Sequence, residues 1–428
     1  MKKFEYPLLG ETLYKKVLPN GLTVAVVPRP GFTRKLAYFV TDYGAVHTRF
    51  NMDGRDYVSP DGVAHYLEHK MFDMPGGRDV TAEFAALGAS PNAFTSYDMT
   101  AYYFVCTGNF RDCLKLLLEF VSTPYFTSET VEKEQGIIGQ EIGMNEDSPD
   151  TAVFENLMRS MYALHPIREP ILGTRETIAQ ITDQVLYDCH RAFYRPGNMI
   201  LCVVGDVDPA EVEGTALEVL PKTDEIKVTR AGNWPEEMAC AVAETRQTME
   251  VAMPMFQLGF KCEPVGTGRE AIRQEIVGDL AAEALFGESS ELYLKLYEEG
   301  VIDSSFGGGF ETIDGMAMLT ASGDSDFPER VRDEILAQCR RIVAEGIEET
   351  AFQRMKRSAL GRRIRDLDSF DSTAFRICAY HFACFDYFDF PEIYREVTAQ
   401  EVRGFLGRVV TEARCSLSII EPNPEEDA

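Results

Sequence analysis

The chain is poor in positive charge. Its 428 residues carry 42 Lys+Arg against 69 Asp+Glu, a formal net charge of −27. That balance argues against nucleic acid and against an anionic membrane surface as partners, since both need a positive face. Long hydrophobic runs are missing too. The best, Met199 to Val204, has the length of a buried strand and falls far short of the ~18 apolar residues of a membrane span. After Met1-Lys2-Lys3 there is no apolar core of the kind a secretory signal carries. None of the ten cysteines forms a C-x-x-C pair. Thiols scattered through apolar segments read as reduced and buried, so a cytoplasmic location is expected. What is abundant is ordinary globular material, 45% hydrophobic and 11% aromatic, enough to bury a large core without disulfides.

Strand and helix patterns alternate along the first half. Asn20-Gly21 sits between two β-rich runs, Tyr14 to Leu18 and Leu22 to Val27, and predicts a hairpin. Further strands are expected at Leu36 to Val40, Thr100 to Val105 and Met199 to Val204. Helical patterns cover Gly62 to Phe72, Val80 to Leu87, Asn109 to Val121, Ser128 to Met144, Thr151 to Tyr162 and Asp183 to Phe193. Periodicity fades from Pro221 to Glu244 and a similar order then restarts, closing on a strand at Ser416 to Ile420. The expectation is an α+β fold of two homologous domains, 1–222 and 246–428, joined by a linker at 223–245. Gly307-Gly308-Gly309 reads as a flexible loop, Arg362-Arg363-x-Arg365 as a solvated helix face, and the acidic tail from Glu421 as frayed.

Chemistry concentrates in Gly62-Val63-Ala64-His65-Tyr66-Leu67-Glu68-His69. On a helix His65 and His69 lie one turn apart on one face, so both imidazoles can reach one metal ion. Glu68 is beside them, placed to take a proton from water. This H-x-x-E-H order inverts the H-E-x-x-H zinc-protease motif with the same mechanics. A catalytic zinc needs a third protein ligand and an open fourth position. Glu134 and Glu141 are seven apart on the helical pattern Ser128 to Ile142 and project from one face. Read alone, a solvated acidic face explains them better than ligation. Gly136 and Gly139 on that helix cost ~1 kcal/mol each against Ala, which close approach of another helix would justify.

His65-x-x-Glu68-His69, with Glu141 within Glu134-x6-Glu141, resembles the pitrilysin (insulinase, mitochondrial processing peptidase) family of zinc metallopeptidases. Further likeness lies in Asp61-Gly62-Val63-Ala64, in Ala89 to Ser96, in Thr100 to Phe104, and in Tyr194 to Met199 before the strand at Cys202. Within the family the chain is similar to bacterial processing-peptidase-like proteins associated with elongation factor P modification. The resemblance implies Zn2+ held by His65, His69 and Glu141, with Glu68 as general base and Glu134 as an acid that orients a ligand histidine or stabilises the site. It implies that Asn92, Ala93, Phe94 and Thr95 form an edge strand that pairs with the substrate backbone. The implied activity is endopeptidase cleavage of peptides, or of unfolded or leader segments, inside a chamber, by a homodimer or a heterodimer with a paralogous chain. One departure stands out. Where the family often has an Arg and a Tyr in its C-terminal half, Tyr297 and Asp303 stand here. That leaves an alternative: a metal-binding but non-catalytic, or partner-dependent, subunit of a heterodimeric peptidase.

Overall fold

The computed structural model describes residues 1–220, 226–230 and 234–424. They form two compact units, both α+β. The first comprises Met1–Ile142, Pro170–Gly232 and Ile364–Asp389; the second comprises Gly143–Glu169, Asn233–Arg363 and Phe390–Ala428.

The first unit is built on a seven-stranded sheet. Its order is Lys2–Tyr6, Glu11–Val17, Thr23–Pro28, Met199–Gly205, Lys35–Thr41, Thr100–Cys106 and Ala89–Thr95. Only the pairing of Thr23–Pro28 with Met199–Gly205 is parallel. Met199–Gly205 is buried at every position, as an unbroken apolar strand in the middle of a covered sheet should be. The Asn20-Gly21 turn does join antiparallel strands, and Gly21 holds φ +91° there. Helices cover both faces. Adjacent residues of an edge strand point to opposite sides: Thr95 reaches the helix Val63–Lys70, while Phe94 meets Phe375 on the helix Phe370–Phe382 at 6.0 Å between ring centroids.

The second unit has a five-stranded sheet ordered Glu244–Met249, Cys415–Pro422, Met255–Lys261, Met316–Asp324 and Gly307–Ile313. Again only the first pair is parallel. Strand for strand, this order repeats the last five strands of the first sheet, which is the architecture expected of homologous domains. No helix among the described residues is long and apolar enough to cross a membrane, and all ten cysteines are unbridged.

Several expectations need correction. The units are not contiguous at 222 and 246. The helix Pro149–Met161 packs on strands Met255–Lys261 and Cys415–Pro422 of the second unit, where Gly259 leaves room for Met161. The helix Phe370–Phe382 packs in return on strands Met199–Gly205 and Lys35–Thr41 of the first. An amphipathic pattern specifies a buried face and not which sheet buries it. Of the expected linker, 223–225 and 231–233 lie outside the described residues. Val228–Arg230 is a strand paired with Arg49–Met52, and Glu244 opens another strand. Gly307–Ile313 is an edge strand and not a loop, because Gly308 lies against Phe286 and the Thr320 carbonyl with no space for a Cβ. Arg363 is buried, with Glu275 at 2.8 Å and Asp279 at 3.7 Å, so that arginine group is only partly a solvated face. Glu421 and Pro422 finish the last strand, while 425–428 lie outside the described residues. Gly136 and Gly139 face open space, so helix approach does not explain them.

Candidate metal centre

The motif folds as the eight-residue helix Val63–Lys70. Its start is set by a backbone lock. Gly62 holds φ +90°, and a Cβ there would lie 2.4 Å from the Leu172 carbonyl oxygen. Only glycine fits both the left-handed conformation and that approach. Val63, Ala64, Tyr66 and Leu67 bury the helix in the first unit's core. The Tyr66 hydroxyl donates to the Val131 carbonyl on the helix Ser128–Glu146, which ties the two elements together.

That tie brings the sequence-predicted ligands to one place. His65 Nε2 lies 3.6 Å from Glu141 Oε1, and His69 Nε2 lies 3.6 Å from Glu141 Oε2. One donor atom from each residue falls within 4.8 Å of the others. Ligand bonds of about 2.0–2.1 Å at tetrahedral angles place donor atoms roughly 3.3 Å apart, so the cluster is close to what one zinc ion requires. The protons point the same way. His69 Nδ1 lies 3.1 Å from Glu134 Oε1; a neutral ring with its proton on Nδ1 turns its Nε2 lone pair toward the Glu141 carboxylate. A neutral imidazole and a carboxylate at 3.6 Å share no hydrogen bond, and a divalent cation would take both lone pairs. Two imidazoles and a carboxylate suit zinc.

The fields on the site are mixed. Burial pushes the Glu68 carboxyl above the ordinary carboxylate range, and a hydrogen bond from Thr95 and the two imidazoles only partly hold it down. Thr95 Oγ1 donates to Glu68 Oε2 at 2.7 Å. Burial would lower His69, but the bond to Glu134 and the charges of Glu68, Glu134 and Glu141 together raise it. Glu141 is held low by its contact with His65, then by the charge of both histidines. Burial works to raise Glu134, yet His69, Lys70 and Lys133 bring it below the ordinary range.

The predicted edge strand is present. Ala89–Thr95 is the last strand of the first sheet and pairs only with Thr100–Cys106. The Ala93 N–H donates to the Asn92 side chain at 2.9 Å and not to the neighbouring strand. Main-chain groups at 91, 93 and 95 therefore point off the sheet, and Pro91 contributes only a carbonyl. Sequence reasoning placed Thr95 on that edge but missed its bond to Glu68. It also passed over Lys70, although a lysine followed by Met71-Phe72 in a buried stretch was a signal. Tyr297 and Asp303 lie in the second unit. Tyr297 is half exposed and stacks on Tyr293, and Asp303 accepts from the Ser305 N–H at 2.7 Å.

Comparison with known proteins fits this geometry. Residues 55–175 match the family described as insulinase (peptidase family M16), and residues 180–359 match the one described as the peptidase M16 inactive domain. A Bacillus subtilis (strain 168) protein named uncharacterized zinc protease YmfH is 36% identical over 428 residues, covering 99% of each chain. The chain belongs to the M16 peptidase family. A protein described as an M16-like peptidase from Alicyclobacillus acidocaldarius shares the fold at TM-score 0.92 and 32% identity, over 96% of this chain and 99% of that one. A protease from Helicobacter pylori follows at TM-score 0.82 and 20% identity, over 96% of this chain and 99% of that one, a likeness of fold alone. The M16 match at 55–175 spans His65, Glu68, His69, Glu134 and Glu141. Among the described residues, those two histidines and Glu141 are the one group of His, Cys, Asp and Glu with ligand spacing.

Proposed function

We propose that the chain is a zinc-dependent endopeptidase of peptides or unfolded leader segments, enclosed in a chamber, with His65, His69 and Glu141 as ligands and Glu68 as general base. The observation that carries the reading is the convergence of two imidazole nitrogens and a Glu141 oxygen within 4.8 Å beside a buried carboxylate. When bound, zinc supplies acidification of water and polarisation of the scissile carbonyl. The chain supplies the rest. Glu68 accepts a proton from the attacking water and passes it to the leaving amine. Thr95 fixes which Glu68 oxygen is free, and Glu134 fixes the His69 tautomer. A peptide extended along Ala89–Thr95 takes the place of the Asn92 side chain on the Ala93 N–H and lies beside Glu68 through Thr95. The reading includes a cytoplasmic setting and a second copy or paralogous chain as partner.

Tyr297 and Asp303, in place of the Arg and Tyr that the resemblance leads one to expect, favour a second reading in which the isolated chain binds metal without cleaving. One experiment separates the two. Wild type and Glu68→Gln are purified, their zinc is measured by mass spectrometry, and a quenched fluorescent unstructured peptide is supplied. The endopeptidase reading expects zinc in both and a rate loss of about 10²–10⁴ in Glu68→Gln. Equal cleavage by both proteins refutes the base assignment. Zinc in both with cleavage in neither selects the partner-dependent subunit.

A further inference from the structure

Lys70 follows the histidine pair directly and is 1% exposed. A lysine is almost never this buried unless its charge is matched. Its ammonium donates to Asp73 and to the Thr130 carbonyl at 3.2 Å, and it lies 4.0 Å from Glu134 Oε2. Thr130 and Glu134 are one turn apart on the helix Ser128–Glu146, which also carries Glu141. The second oxygen of Glu134 is the one 3.1 Å from His69 Nδ1. One ammonium thus bonds the main chain of the ligand-bearing helix and stands at ion-pair distance, 4.0 Å, from the Glu134 oxygen that His69 does not use. The H-x-x-E-H motif itself has no need of a cation at this position; an apolar residue would fill the volume.

We propose that Lys70 is a positioning residue of the metal centre. It holds Glu134 Oε2 so that Oε1 faces the Nδ1–H of His69, and His69 Nε2 is thereby turned toward Glu141. The inference rests on the zinc reading above and deepens it, since it concerns how the ligand shell is held. Carboxylates that orient ligand histidines change metal affinity by 10–100-fold when lost. A lysine that acts through such a carboxylate matters only while the carboxylate is there. A lysine that merely ties two helices together matters equally with and without it.

The test is a double-mutant cycle on zinc affinity, read by competition with a fluorescent chelator. Four proteins are compared: wild type, Lys70→Met, Glu134→Gln and the double variant. Lys70→Met is expected to weaken zinc about tenfold in the wild-type background and less than about twofold in the Glu134→Gln background. Lys70→Gln, which keeps a donor for the Thr130 carbonyl but has no charge, carries the same cycle if the methionine variant does not fold. Unchanged affinity in Lys70→Met, or an equal loss in both backgrounds, overturns the positioning role while leaving the zinc reading intact. A wild-type protein that takes up no zinc refutes the zinc reading, and the positioning role falls with it.

Discussion

Replacing Thr95 with valine removes one hydroxyl and little else. Valine keeps the β-branched shape that the edge strand favours. What is lost is the 2.7 Å bond to Glu68 Oε2, and the oxygen is left in a largely buried position. Hydrogen bonds to charged groups contribute ~1.5–3 kcal/mol. If that energy is expressed fully in the transition state, kcat/KM falls roughly 10–150-fold. The Thr95 hydroxyl bonds to Glu68 and to Thr100, so zinc content should stay at the parent level. The pH profile adds a sign. Burial already raises Glu68, and the Thr95 bond opposes that rise. Without it the carboxylate ionises only at higher pH, so the acid limb of kcat/KM moves toward neutral. Thr95→Ser keeps the donor and should stay within about threefold of the parent. The assay is steady-state cleavage of a quenched fluorescent peptide between pH 5 and pH 9, with zinc measured on each sample. Parent kcat/KM and an unmoved acid limb in Thr95→Val would show that the hydroxyl does not position the base.

Three further outcomes are expected. Gly62→Ala places a Cβ 2.4 Å from the Leu172 carbonyl in a left-handed conformation; it should cost roughly 3 kcal/mol and lower the melting temperature, and a melt equal to the parent's would show that the motif helix is not locked there. His190 is buried with Nε2 3.2 Å from the Val121 carbonyl, and burial pushes its imidazole down to about 4. The unfolded chain then binds one more proton between about pH 6.5 and pH 4, so stability rises with pH across that window by up to about 3 kcal/mol; His190→Gln should flatten this slope in urea denaturation, and an identical slope would refute the assignment. Glu141→Gln should lose most of its zinc while keeping its circular dichroism spectrum; full zinc occupancy would remove Glu141 from the ligand set.

The motif helix was legible because three polar residues at fixed spacing sat in an apolar run. The long strands were legible for a related reason: Met199–Gly205 is apolar throughout, and Asn20-Gly21 marks the turn between Glu11–Val17 and Thr23–Pro28. Glu141 was different. On composition it belongs to an acidic helix like any other, and only the resemblance singled it out; its place opposite the histidines depends on how that helix packs. The bond from Thr95 to Glu68 and the approach of Lys70 to Glu134 join segments 27 and 64 residues apart, with no local pattern to announce them. The exchange of Pro149–Met161 and Phe370–Phe382 between units was hidden for the same reason, since each shows only that one face must be buried. Gly307–Ile313 was misread because glycine's usual role in loops outweighed the alternative, a strand crowded by Phe286.

The most direct measurement is anomalous diffraction at the zinc edge from crystals of the zinc-loaded protein. The account predicts one peak about 2.0–2.2 Å from His65 Nε2, His69 Nε2 and a Glu141 oxygen, with Glu68 beside it and unligated. A peak bound elsewhere, or a Glu141 side chain turned out of reach of the ion, would contradict it.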